Sequence, residues 1–177
     1  MKQAREIEER LLRDRIVFLS TPIDDSIARH IIAQMLFLEA ETHSPITMHI
    51  NSPGGSISAS MAVLDTMKGS QAPVHTVCVK RAAGTAALLL AGGVFGCRFA
   101  RSAAHVQLFP MQAGSTTAPT ERHLRRELTK AESLIIELLA QATAQPQARI
   151  RFAMNSRLCL PATQAKAFGF VDAIITS

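Results

Sequence analysis

Two short stretches carry the residue types that could hold a reacting carbonyl. The first is Ile50–Ser56, INSPGGS, at the end of an apolar run; the second, further along, is Val79–Gly93, VKRAAGTAALLLAGG. Adjacent glycines at 54 and 55 can turn tightly and bring backbone N–H groups close to a carbonyl oxygen. The N–H of Thr85 opens a helix, whose positive end favours negative charge. That is equipment for stabilising an oxyanion during acyl transfer. The chemistry also needs a nucleophile, a base within hydrogen-bond reach of it, and an acceptor that fixes the tautomer of the base. Around the second stretch stand Ala82, Ala83, Gly84, Thr85 and Ala86, with no serine or cysteine among them. Two uses of the glycines stay open: a cradle for an oxyanion, or simply the turn from strand to helix.

Taken together, the two stretches resemble the heart of the Clp protease proteolytic subunits. In that family the second motif reads approximately GQAASMGA and its serine is the nucleophile; Gly84 falls on that place. The family strand RFxLPNSRxMIHQPLGG lies over Arg98–Gly114, RFARSAAHVQLFPMQAG, and puts Phe109 where the catalytic histidine would be. A DRD(F/Y)-like segment lies over NSRLCLPATQAKAFGFVD and, with one residue of offset, puts Arg157 where the aspartate would be. The backbone donors of the oxyanion hole fall on Gly55 and Thr85. The likeness runs from about Arg10 to Thr176, with RIVFLSTPIDDSIARHIIAQMLFLEAE and INSPGGSISASMAVLDTM as its most specific parts. The crotonase superfamily shares the spiral of ββα units and the glycine-supported hole. Its members are usually longer, and neither the handle pattern nor the segment Asp24–Glu41 points there.

The resemblance implies an α/β fold, a ClpP/crotonase-like spiral of ββα units with a protruding handle helix. It implies one domain over residues 1–177, with a head at about 10–112 and 144–177 and a handle at about 113–143. It also implies silence. Glycine, phenylalanine and arginine supply no nucleophile, base or acceptor, and losing a triad as a unit costs on the order of a million-fold in turnover. The chain is thereby similar to the ClpR-type paralogues, non-catalytic subunits of an ATP-dependent Clp protease barrel that join active subunits in stacked heptameric rings, a tetradecamer in all. Leu128, Ile135 and Leu138 fall in the handle by which rings stack. Thr47, His49 and Arg101 fall where the family docks the flexible loops of a AAA+ unfoldase, and their polarity implies weakened docking. The chain starts almost at the first helix, so a short or absent axial gate is expected. Two other functions stay open: a serine hydrolase whose nucleophile has moved to Ser52, Ser58 or Ser60, and a homo-oligomeric binding protein unrelated to proteolysis. His105 is the histidine nearest to Phe109, but four residues along a strand displace a side chain by about 13 Å. Thr85 as a substitute nucleophile has no base beside it.

The periodicity supplies the elements that must position these residues. A strand is expected at Arg15–Leu19, then a helix capped by Asp24 or Asp25 with Ile27, Ile31, Met35 and Leu38 on one face. Next come a strand at Ile46–Ile50, a helix at Ser56–Lys68, a strand at Val74–Val79 and a buried helix at Ala82–Ala91 ended by Gly92 and Gly93. Strands near Arg98–Ala100 and Ala104–Phe109 precede the Gly/Ser/Thr/Pro stretch Ala113–Pro119. A long helix, about Thr120–Thr143, follows, with Leu124, Leu128, Ile135, Leu138 and Leu139 on its apolar face. After Pro146 the pattern gives a short helix, another at Pro161–Phe168 closed by Gly169, and a strand at Val171–Ile175. Alternation of this kind requires crossover connections.

Composition bounds the function. With 177 residues, 47% hydrophobic and 19% charged, the chain can bury a real core and has apolar surface left for partners. Net charge is +5, but its densest group, Arg122, His123, Arg125 and Arg126, reads as a solvated helix face. With no Tyr or Trp to stack bases, nucleic acid is not expected as a partner. No apolar run reaches the length of a membrane span. The N-terminus MKQAREIEERLLRDR is charged and helical rather than a leader, so the cytoplasm is expected, or an organelle stroma or matrix in a eukaryote. Cys78, Cys97 and Cys159 are widely spaced and read as buried free thiols. No metal site or cofactor is expected.

Overall fold

A computed structural model describes residues 2–110 and 121–176 of the chain, with side chains over 6–110 and 126–176. The first unit is α1 (Lys2–Arg13), β1 (Ile16–Leu19), α2 (Asp25–Glu41) and β2 (Ile46–Ser52). The carboxylate of Asp24 accepts the N–H of Ile27 at 2.8 Å, which settles the cap in favour of Asp24, and α2 buries Ala28, Ile31, Met35 and Leu38. Arg15 is not the first residue of a strand but a left-handed turn residue, φ +59°. Its guanidinium donates to the carbonyls of Leu38, Thr42, Ser44 and Pro45 at 2.9, 3.0, 2.7 and 3.2 Å. It therefore ties the loop leaving α2 to the strand that β2 joins.

The second unit is α3 (Ile57–Gly69), β3 (Val74–Ala83), α4 (Thr85–Ala91) and β4 (Arg98–Arg101), followed by β5 (His105–Gln107). Beyond the undescribed segment come α5 (Glu121–Thr143), α6 (Gln147–Asn155), β6 (Cys159–Pro161), α7 (Ala162–Phe168) and β7 (Ala173–Ile175). Strands β1-β2-β3-β4-β7 run parallel in that order; β5 adds in parallel to the end of β3 and pairs antiparallel with β6. The short β6 has no counterpart in the sequence reading. Its three residues, Cys159–Pro161, lie between two helical patterns and carry no alternation. The stretch Ala113–Pro119 lies outside the described residues, as do Gly114 and the side chains of Arg122, His123, Leu124 and Arg125.

Strand β2 alternates buried and half-buried residues along its length, so Ile46, Met48, Ile50 and Ser52 face the helices and Thr47, His49 and Asn51 the opposite side. Helices α2, α3 and α4 supply the other wall of the core; α4 is buried at every residue. One buried ion pair locks the far edge. Arg98, 3% exposed, meets Asp172 through Nη2–Oδ1 at 2.6 Å and Nε–Oδ2 at 2.9 Å, and also donates to the carbonyl of Ala142 at 2.7 Å. It joins β4 to the C-terminal end of α5.

The helix expected at Ala82–Ala91 begins later, because Ala82 and Ala83 continue β3. Their backbone groups pair with Val106 and Gln107 of β5. A register shift between Ile50 and Ser52 makes this possible: Ile50 faces Cys78 but Ser52 faces Ala82, so β3 carries two extra residues and bends from β4 towards β5. The bend delivers Gly84 to the mouth of the fold.

Candidate functional site

The loop Pro53–Ser56 is held from below. Ile23 donates its N–H to Gly54 O at 3.0 Å and accepts that of Ser56 at 2.7 Å, forming a parallel bridge opposite Gly55. A Cβ on Gly55 would lie 2.1 Å from Ile23 O, so the bridge itself demands glycine there. Gly54 sits at φ +84°, and its N–H donates to Ser52 Oγ at 3.1 Å while that hydroxyl donates to Thr21 O at 2.6 Å. The structural use of the glycine pair is therefore real.

Opposite this loop, β3 turns into α4 through Gly84, at φ +53° and ψ −121°, a region that only glycine enters without strain. Its N–H donates to Gln107 O at 2.9 Å. A Cβ built on Gly84 would fall 2.8 Å from both Cε2 and Cζ of Phe109, so the ring tip covers the place where a side chain would start. Phe109, Gln107 and Arg157 line one cavity of about 410 Å³ with Pro53, Gly54, Gly55, Ile57 and Thr85. Of the three positions that the resemblance gives to a triad, Phe109 and Arg157 line this cleft, and Gly84 adjoins it beneath the Phe109 ring. None of its lining residues is a histidine or a carboxylate. Arg157 is exposed and sits at φ +50°, where the end of α6 turns back into β6. His105 lies on β5 opposite Arg81 and Pro161 and is not among the lining residues.

Thr85 and Gly55 face each other across the cleft, and they are bonded: Gly55 N–H donates to Thr85 Oγ1 at 3.0 Å. Thr85 is 2% exposed, and no base accompanies its hydroxyl in the cleft. Gln107 was not anticipated; a polar residue two before Phe109 on an alternating strand is the signal that would have found it. The three serines are engaged structurally. Buried Ser52 holds Thr21 O, buried Ser60 donates to Ser56 O at 2.8 Å, and exposed Ser58 pairs with Ser56 Oγ at 3.0 Å. Among the described residues, none of them bonds to a histidine or carboxylate.

Thr47 and His49 lie half-buried on one face of β2, and exposed Arg101 ends β4 close enough to His49 to act on it by its charge. His49 packs its ring 5.6 Å from that of Phe18, which is 45% exposed. Burial, and then the positive charge of Arg101, pull the His49 pKa below the ordinary histidine value. This face is neutral at His49 and positive at Arg101.

The long helix requires a correction. Ile135 was expected in a ring-stacking face, but it is fully buried in the subunit's own core together with Ile136 and Leu139, and Leu138 packs against the same cluster. Leu128 is half-buried and Leu134 is 45% exposed, so the part of the helix before Ile135 has apolar surface to offer. Nor are all three thiols buried. Cys78 is, and burial pushes its pKa up to about 12, but Cys97 is half-buried and Cys159 exposed. Among the described residues no helix is long and apolar enough to cross a membrane, and no group of three or more His, Cys, Asp or Glu could hold a metal ion.

A mostly parallel sheet, a glycine loop bridged to Ile23, and a strand that bends to set Gly84 against that loop agree with the motif reading. The family model described as Clp protease matches residues 1–177. The chain belongs to the Clp protease family.

Proposed function

We propose that this chain is a non-catalytic subunit of a Clp-type protease barrel, a wall and regulatory component that assembles with active subunits. The observation that carries the reading is the contact between Phe109 and the empty side-chain position of Gly84. At the place where acyl transfer would need a hydroxyl and a base there are a hydrogen atom and an aromatic ring tip. With Arg157 in the third position, no donor–acceptor relay can form. Membership of the family supports assembly with other Clp subunits, and stacked heptameric rings are the arrangement proposed here. On the open sheet face, Thr47, His49 and Arg101 replace an apolar pocket with polar and positive groups, so docking of a AAA+ unfoldase on this subunit is weakened.

The test has two parts. The purified chain should neither hydrolyse short fluorogenic peptides nor take up a fluorophosphonate probe, since labelling requires an activated serine. Isolation from its source under native conditions, followed by native mass spectrometry, should find it in a mixed ring with an active family member. Hydrolysis that disappears on replacing Ser52, Ser58 or Ser60 would refute the reading in favour of a relocated nucleophile. Recovery only as a homo-oligomer would refute it in favour of a separate binding protein.

A further inference from the structure

We infer that Thr85 is an internal plug: its hydroxyl occupies the oxyanion position of the cleft and consumes the Gly55 donor, so the cleft is closed to a peptide carbonyl independently of the missing triad. The inference rests on the silent-subunit reading for the meaning of the cleft, but on different atoms. The parallel bridge uses the N–H groups of Ile23 and Ser56 and leaves that of Gly55 pointing away from Ile23. An N–H so placed is available to a ligand. Here it is taken by Thr85 Oγ1 at 3.0 Å, an oxygen on a side chain that is 2% exposed. The approach is close on the side of Gly54. A Cβ on Gly54 would stand 3.2 Å from the same Oγ1, 2.9 Å from Thr85 N and 2.4 Å from Ala83 O. A carbonyl oxygen that sought the Gly55 N–H would have to displace the hydroxyl from a packed position. Threonine suits the task because its hydroxyl oxygen can accept the N–H, and its β-branch restricts χ1.

Two measurements test this on the full chain. Gly55 is exposed, so protection of its amide against hydrogen exchange depends on the Thr85 bond rather than on burial. By NMR, the amide should exchange slowly in the unaltered chain and in Thr85→Ser, and much faster in Thr85→Ala. Equal exchange in all three overturns the proposal. The second measurement uses the background Gly84→Ser/Phe109→His/Arg157→Asp and fluorophosphonate as the probe. Adding Thr85→Ala should raise the labelling rate by about 10²-fold, the effect of one oxyanion donor gained. Equal labelling with and without Thr85→Ala, including none in either, overturns it. Peptidase activity of the unaltered chain that is lost on replacing Ser52, Ser58 or Ser60 would overturn the silent-subunit reading, whereas the exchange of Gly55 tests the Thr85 bond without any catalysis.

Discussion

Replacing Gly84 with serine should restore a hydroxyl and yet give neither activity nor a stable site. The new Cβ would lie 2.8 Å from two ring atoms of Phe109, where ordinary contact begins near 3.4 Å, so the ring tip must move by roughly half an ångström. Phe109 is half-buried and can yield in part. The backbone cannot. At φ +53° and ψ −121° a side chain is strained whatever the space, at a cost of about 1–3 kcal/mol. For a chain of this length each kcal/mol corresponds to a fall of about 2–4 °C in Tm. The double variant Gly84→Ser/Phe109→Ala should recover the steric part of the loss and none of the backbone part.

On the catalytic side, a serine that faces a phenyl ring keeps an alcohol's ordinary reluctance to ionise, and triad members act as a unit, so one restored member returns almost nothing of about 10⁶. Thermal unfolding followed by circular dichroism gives the stability term, and hydrolysis of fluorogenic peptides gives the second. A Gly84→Ser protein as stable as the parent would refute the geometry at the mouth of α4. One that cleaved peptides at the rate of an active family member would refute the placement of Phe109 at the position of the base.

Further outcomes follow from other contacts. Arg98→Met should destabilise the fold by about 3–5 kcal/mol in chemical denaturation, because it leaves Asp172 partly buried without its partner. Burial pushes the Asp172 carboxyl up, but the hydrogen bonds and charge of Arg98 and the Gly96 N–H outweigh it and hold the pKa below the ordinary 3.8. The stability this gives is therefore present above that ordinary value and is lost as pH falls through the depressed one; an acid titration of Asp172→Asn should lack that loss. Ile135→Asp should unfold the subunit, whereas Leu134→Asp should keep its circular dichroism spectrum and lower the oligomeric mass on size-exclusion chromatography with light scattering. Loss of fold in both would show that α5 offers no free face. With Arg101→Gln the His49 pKa, followed by NMR, should rise part of the way to its ordinary value, since burial remains. Iodoacetamide should modify Cys159 in the native protein and reach Cys78 only on unfolding, as mass spectrometry of the digested chain would show.

The order of strands and helices was legible because each period is clean: β2 alternates, and α2 repeats its apolar residues at helical spacing. In the structure Phe109 and Arg157 line one cleft and Gly84 adjoins it through the Phe109 ring, although the three are far apart in sequence. What stayed hidden depends on distances between elements. The run Ala82–Ala91 is apolar throughout, and nothing local separates the last strand residues from the first helical ones; pairing with β5 decides it. The face of Ile135 is apolar whether it meets another ring or the head of its own subunit, and periodicity does not distinguish these. The bond from Gly55 to Thr85 joins two loops whose separation no spacing reveals.

The geometry of Gly84 also bears on the stability of the fold. A nucleophile presented at a sharp strand-to-helix turn holds its backbone in a costly region, and the rest of the fold must compensate for it. Glycine occupies this turn with no such strain, which favours the fold over a serine at the same place. The ring tip of Phe109 then covers the position a side chain would take, and the Thr85 hydroxyl accepts the Gly55 N–H. At these two places the residues present favour the folded state over acyl transfer, in keeping with the non-catalytic role proposed above. On that argument, thermal unfolding should show Gly84→Ser costing more stability than Phe109→His, and Arg157→Asp costing none, because Arg157 is exposed at φ +50°, where Asp is tolerated better than Arg.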